Sequence, residues 1–463
     1  MKKPTLRFIT VTLAAAGLLS AEVPGVIAIR NARIHTASGP VITGGTVVIR
    51  DGLIAAVGTG AAIPADAWVV EGNALSVYPG LIDALSRWGI PGAPAPAGGT
   101  GRFATPPGPS PLADPSPGPA PGPTPSPATT GPPAMGPEDR PSNTSWVNAQ
   151  DLVRSSDRGI TSARSAGFTT AITYPTTGIF AGQGAAINLA GDKPGQMVVA
   201  APTGLYLSLN ARSFSSFPGS LMGVIAYIRQ VYLDADHYQA AQKEYAASPR
   251  GRRRPDYDRA LEGVLGAPRI LLPATRNVEI ERMLRFAADL KRPAILYGGH
   301  EAYRSADALK NAGAPILIDL KWPEAPRELD PERRDSLRTL EMREKAPGAP
   351  AVLAKAGVRF AFYSGGVERP ADLRGAVRKA ITAGLTEEQA LRALTLTPAE
   401  IYGVADRIGS IEIGKIANLV ITDGNLFDES SKIKFVLIDG VKYDPVTEPA
   451  GPAQGSARTE VVQ

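Results

Sequence analysis

The sequence predicts an α/β chain, and three observations carry that prediction. From Trp146 to about Ala405, short apolar runs alternate with amphipathic stretches, the pattern of parallel strands joined by helices. Short runs with strand-like alternation occupy both ends of the chain, over Val26 to Val70 and over Ile408 to Val441. Between the N-terminal β runs and the alternating region, residues 90–142 are dominated by Pro, Gly, Ala, Ser and Thr. Such a composition buries too little apolar surface to offset its ordering entropy, so this segment is expected to be an extended or disordered insertion outside the core. With 463 residues and 43% hydrophobic content, the chain is long enough for one large core and a smaller domain.

Taken in order, the first element reads as a secretory signal peptide over 1–21. Lys2, Lys3 and Arg7 form a basic start, Phe8 to Leu19 an apolar stretch, and Ser20-Ala21 a small-residue cleavage site. The apolar stretch is shorter than the roughly 20 residues a membrane span needs, and no second run of that length follows. The expected location is therefore periplasmic or secreted. Arg50-Asp51-Gly52-Leu53 carries the Asp-Gly signal of a tight hairpin within the N-terminal β runs. Strands are expected at Pro79–Ala84, Phe168–Tyr174, Met197–Ala201, Arg269–Leu272, Ala294–Tyr297, Ile316–Leu320 and Arg359–Tyr363. Helical patterns at Val278–Leu290, Ala302–Asn311 and Ala371–Ala383 separate several of them. That makes seven strands, one short of a (β/α)8 barrel, with Gly184–Leu189 and Pro323–Lys345 the two places for the eighth. Residues 448–463 are expected to be a flexible tail.

The chain has no cysteine, which excludes a disulfide framework, thiolate metal sites and lipoprotein acylation. Its formal charge of +5 is diffuse except at Arg250-Gly251-Arg252-Arg253-Arg254. No aromatic residue interleaves that run, so no nucleic-acid groove is expected.

Tyr78-Pro79-Gly80-Leu81-Ile82-Asp83-Ala84-Leu85-Ser86-Arg87-Trp88-Gly89 resembles the first barrel strand of the amidohydrolase superfamily. In that family Pro-Gly-Leu-Ile-Asp-Ala is followed by His-x-His. The resemblance continues in Ala166-Gly167-Phe168-Thr169-Thr170-Ala171, in Gly178 to Ala185, in Ala383 to Leu391 with Thr397 to Glu400, and in Ile408 to Ile421. It implies a TIM-like (β/α)8 barrel over 79–404, complete or one strand short. It also implies a small β-sandwich built jointly from 22–78 and 405–447. Its functional implication is hydrolysis of carbon–nitrogen, non-peptide bonds with zinc or another divalent metal.

The same resemblance places metal-binding histidines at the positions of Leu85 and Arg87, and the general-base Asp at Gly365 or, one residue earlier, Ser364. None of these residues can do that work, and a permanently charged Arg87 repels a divalent cation. Only three histidines exist: His35 in the N-terminal β runs, His237 beside Asp234 and Asp236, and His300 after a strand. His300 with Glu301 falls short of the three protein ligands of a catalytic metal. The expectation is therefore a protein with no metal and no cofactor, its hydrolytic activity impaired. The alternative is a non-catalytic relative, acting as partner subunit of an intact homologue or as a small-molecule binder. The strand ends offer Arg87, Tyr174, Gln183, Arg276, His300, Glu301, Lys321, Tyr363 and Ser364, a set suited to a small polar or anionic molecule. A homo-oligomer or hetero-oligomer is expected, with no nucleic acid and no stable membrane span.

Overall fold

The computed structural model describes residues 25–90, 140–210, 217–325, 335–365, 367 and 369–446. The expected leader at 1–21, the tail at 448–463 and residues 91–139 of the Pro/Gly-rich segment lie outside the described residues.

The N-terminal β runs form β1 (Val26–Ile34), β2 (Ile42–Arg50), β3 (Leu53–Gly58), β4 (Trp68–Glu71) and β5 (Ser76–Pro79). The turn between β2 and β3 is the expected Asp-Gly hairpin, with φ of 51° at Asp51 and 78° at Gly52. After β5 come β6 (Leu81–Ser86), β7 (Phe168–Thr173), β8 (Phe180–Gln183), β9 (Ala185–Asn188), β10 (Val198–Ala200) and β11 (Leu205–Leu207). Then follow β12 (Ile270–Ala274), β13 (Ala294–Gly298), β14 (Ile316–Asp319) and β15 (Phe360–Tyr363). The chain closes with β16 (Leu419–Thr422), β17 (Ile433–Ile438) and β18 (Val441–Tyr443).

Both ends meet in one eight-stranded sheet of order β18-β17-β16-β5-β1-β2-β3, with β4 also paired to β1. The joint is antiparallel, Leu419 opposite Pro79 and Val420 opposite Tyr78, so the Pro79-Gly80 step leads straight from this sheet into β6. A polar network ties this sheet to the central strands. Asn418 Nδ2 donates to Thr170 Oγ1 at 3.1 Å and to Asn188 Oδ1 at 2.8 Å, and Asn188 Nδ2 donates to Asp439 at 2.8 Å.

The alternating region is a mixed α/β layer of two sheets, β10-β9-β7-β6 and β15-β14-β13-β12-β11-β8. β11 to β15 are all parallel, each step carried over by helical connections such as Asn277–Asp289 and Ala349–Ala356. The two sheets adjoin at two places. β8 and β9 are separated by Gly184 alone, whose N–H donates to Gly204 O at 2.8 Å, so one stretch of chain passes from one sheet to the other. At the far edge β15 packs beside β6, where the Ser364 N–H donates to the Asp83 carboxylate at 2.9 Å.

The additional strand sought in Gly184–Leu189 is β9, and it runs antiparallel to β7. The stretch expected as Met197–Ala201 corresponds to β10, but as an antiparallel edge on β9 and not as a stave in the parallel series. Its connection from β9 spans only residues 189–197, below the dozen or so that a parallel crossover requires. β11, three residues long, takes the parallel position beside β12 instead. Of Pro323–Lys345, the described part holds a helix, Leu337–Lys345.

Side chains alternate cleanly about the parallel strands. Leu271, Ile295, Leu317, Ala361, Tyr206, Tyr297 and Tyr363 pack in one cluster on the inner side. Ile270, Leu272, Leu296, Ile316, Ile318, Phe360 and Phe362 face the surrounding helices. The largest helix, Leu221–Ala247, buries Val224, Tyr227, Ile228, Val231, Tyr232, Ala235 and Tyr238 against this outer side. Among the described residues no helix is long and apolar enough to cross a membrane.

Candidate functional site

The C-terminal ends of the parallel strands are where such folds carry working side chains. Here two acids interrupt otherwise apolar strands, Asp319 at the end of β14 and Asp83 midway along β6. Asp83 stands in Leu81-Ile82-Asp83-Ala84-Leu85, and Asp319 ends Ile316-Leu317-Ile318-Asp319. Asp83 is 0% exposed and Asp319 6%.

Asp83 Oδ1 accepts hydrogen bonds from Ser364 N at 2.9 Å and Leu85 N at 3.3 Å. Its Oδ2 is buried with no hydrogen-bond partner among the described residues. Burial pushes its carboxyl up to about 7, against the opposing pull of Ser364 and Leu85. Asp319 Oδ1 accepts from Lys321 N at 2.8 Å. Burial pushes it up to about 7 as well, and the charge of Asp83 adds in the same direction. The Tyr363 hydroxyl lies beside the Asp319 carboxylate without closing a hydrogen bond of normal geometry.

Asp319 also occupies a telling place. A Cβ built on Gly365 would lie 1.9 Å from Asp319 Oδ1 and 2.4 Å from its Cγ. The carboxylate of β14 thus fills the space that a side chain after β15 would need.

His300 follows β13 and is buried, its Nε2 3.1 Å from the backbone carbonyl of Asp319. A carbonyl only accepts, so Nε2 carries the proton and Nδ1 the lone pair. Burial holds this imidazole down at about 4, so it is neutral at pH 7. Glu301 turns elsewhere. Its carboxylate accepts from Arg338 Nε at 3.1 Å, Arg338 Nη2 at 2.8 Å and Asn277 N at 3.0 Å. Burial would raise Glu301, but these hydrogen bonds win and hold it below the usual carboxylate range. Because Glu301 has a 2% exposed side chain, Arg338→Ala should strand a buried charge and cost about 2 kcal/mol. The figure stays below that for a fully buried pair because Arg338 is 51% exposed. Urea-unfolding midpoints of the variant check it.

The remaining sequence-derived candidates are scattered in role. Leu85 is buried in the inner apolar cluster, while Arg87 is exposed. Gln183 uses its amide to tie loops together, donating to Ser145 O at 3.1 Å and Gly263 O at 2.7 Å. Arg276 pairs with Glu279 at 2.7 Å in the first turn of its helix. Lys321 is exposed, contributing its backbone N–H to Asp319. Tyr174 accepts from Thr203 Oγ1 at 3.1 Å and sits in a buried aromatic series with Tyr206, Tyr297 and Tyr363, the neighbouring ring centroids 6.1, 5.3 and 6.4 Å apart. His35 stacks on Tyr78 at 4.2 Å in the terminal sheet, and His237 is exposed on the Leu221–Ala247 helix. The structure thus gathers His300, Tyr363 and Ser364 around Asp83 and Asp319. Sequence reading missed both acids, although an Asp inside an apolar strand is a visible signal of a burial that needs explaining.

Residues 328–444, a part of the chain's C-terminal third, match the family model described as "Amidohydrolase family". Among solved structures, an amidohydrolase from Thermotoga maritima MSB8 is 24% identical, with a TM-score of 0.69 over 91% of this chain and 100% of that one. A prolidase solved with N-methylphosphonate-L-proline is 16% identical, with a TM-score of 0.51 over 91% of this chain and 100% of its own. A further amidohydrolase is 15% identical at the same TM-score of 0.51 and the same coverage, 91% and 100%. No curated protein matches the chain. Residues 328–444 thus resemble the amidohydrolase family, and the chain shares its fold with these solved amidohydrolases.

The divalent metal implied by that family can be tested against the donors present. At the two inferred ligand positions stand a buried Leu85 and an exposed Arg87, and at the inferred general-base position a Gly365 whose side-chain space Asp319 fills. His300 gives its Nε2 to a carbonyl and Glu301 is engaged by Arg338. Among the described residues no three His, Cys, Asp or Glu side chains converge. These donors do not fit the family's histidine-based metal.

Proposed function

We propose that this chain is an amidohydrolase-superfamily protein in which metal-dependent hydrolysis of carbon–nitrogen bonds is impaired. It takes no catalytic metal, and its strand-end groups serve to hold a small polar molecule. One observation carries this reading: Asp319 fills the side-chain space of Gly365, so the last-strand position is occupied by a carboxylate from the neighbouring strand. The buried Leu85 and the engaged Glu301 support it. The leader-like residues 1–21 favour a periplasmic or secreted location.

Metal content after exposure to zinc and manganese, measured on the purified chain by mass spectrometry, tests the reading. Less than about one-tenth equivalent is expected, and tightly held stoichiometric metal would refute it. Restoring donors must respect Asp319. A variant carrying Leu85→His, Arg87→His and Gly365→Asp should stay metal-free or misfold, whereas adding Asp319→Ala should permit uptake.

A further inference from the structure

Among the described residues the helix Leu337–Lys345 buries none of its side chains, with Leu337 82% exposed and Leu340 49%. Tertiary burial is the usual source of stability for so short a helix. This one is attached instead through ion pairs, Arg338 with Glu301 and Arg304 with Glu341. Leu337, Leu340 and Glu344 follow one another at i, i+3 and i+7, along a single face. That face leads into an open groove of about 680 Å³. The floor and walls of the groove include Gly348, Ala351, Val352 and Ala383, with Val352 itself 41% exposed. Glu344 stands on one side and Lys355 on another, and neither takes an ion pair or hydrogen bond among the described residues.

We propose that this face is a two-fold interface with a second copy of the same chain. A C2 contact must be self-complementary: whatever one patch presents, the same patch must receive. Here one patch combines a projecting leucine edge, an apolar hollow, and one unpaired charge of each sign. Rotation by two-fold symmetry sets the Leu337–Leu340 edge of one copy against the Val352 hollow of the other. Glu344 then faces the other copy's Lys355, and the pair occurs twice. The unpaired opposite charges single out a second copy as the occupant, because a patch for an unrelated acidic or basic partner would carry one sign. The proposal is independent of the reading of the strand-end site.

Sedimentation equilibrium on the full chain, with Glu344→Lys, Lys355→Glu and their combination, decides the matter. The wild type is expected to dimerise. Each single reversal should weaken the dimer about tenfold or more, by placing like charges together, and the double reversal should restore it to within about threefold. Leu340→Ser should weaken it without rescue. All three substituted positions are solvent-facing, so circular dichroism should be unchanged. A monomeric wild type would overturn the proposal, as would a dimer indifferent to the single reversals. Single reversals that dissociate the dimer with no recovery in the double variant would overturn the pairing of Glu344 with Lys355.

Discussion

Replacing Asp83 and Asp319 together by Asn is expected to stabilise the protein by several kcal/mol at pH 8 and by almost nothing at pH 4. The reason is linkage. Both carboxyls are held up to about 7 from an ordinary value of 3.8, with burial as the main cause. Between those values the folded state binds a proton at each site that the unfolded chain does not, so stability falls as pH rises through the window. At about 1.4 kcal/mol per pH unit, the full passage is worth on the order of 4 kcal/mol for each group. His300 acts in the opposite sense. Burial holds it down at about 4, so the unfolded chain is the better proton binder between that value and about 6.5, and stability rises with pH there. His35, also held down at about 4 by burial, adds in the same direction. The two slopes nearly cancel in the wild type between about pH 4 and 6.5, which leaves a flat profile and then a drop toward pH 7.5. The Asn pair removes only the falling contribution. Its stability should climb from pH 4 to 6.5 and stay high, exposing the histidines. Urea midpoints at pH 4, 6.5 and 8 measure this, and a wild type that gains stability between pH 6.5 and 8 would contradict it. Asn keeps an oxygen to accept from the Ser364 N–H, so the change isolates charge from shape.

The parallel strands were legible because each is a short, doubly buried apolar run, and such runs stand out from the amphipathic helices between them. β12 to β15 fall within a residue or two of the expected bounds. β11 escaped notice because Leu205–Leu207 offers only three residues after Pro202 and Gly204. β10 was misassigned as a stave because composition does not tell an antiparallel return from a crossover strand; the length of the connection does. The absence of the His-x-His motif at Leu85 and Arg87 is a statement about two positions separated by one residue, and sequence alone supports it. The role of Asp319 is different in kind. It depends on a contact between residues 46 positions apart in the chain, Asp319 and Gly365, on neighbouring strands β14 and β15. Nothing local announces that contact. What the sequence does display is the acid itself, set in an apolar strand where an unpaired charge is costly.

Gly365→Ala is expected to lose about 3 kcal/mol or more, and Asp319→Ala in the same chain to recover the part of the loss that the collision causes. Two effects act at this position. Gly365 has φ of 52°, where any L side chain costs about 1–2 kcal/mol. The new Cβ also has nowhere to go, with Asp319 Oδ1 at 1.9 Å and Oδ2 at 2.6 Å. Overpacking of this kind costs about 1–3 kcal/mol when neighbours must shift. Asp319 cannot swing aside cheaply, since it is 6% exposed and its Oδ1 is bound by the Lys321 N–H at 2.8 Å. Truncating Asp319 removes the collision but leaves the backbone strain, so recovery should be incomplete by about 1–2 kcal/mol. The double-mutant cycle therefore separates the two effects: a coupling above about 1 kcal/mol belongs to the collision, and the residue to φ. A cycle that closes additively would mean that Asp319 does not fill the Gly365 position in solution. A strong coupling would establish that the side-chain space of Gly365 is already taken by the carboxylate of the strand before it. Placing a carboxylate at position 365 then requires two changes and not one, Gly365 and Asp319 together.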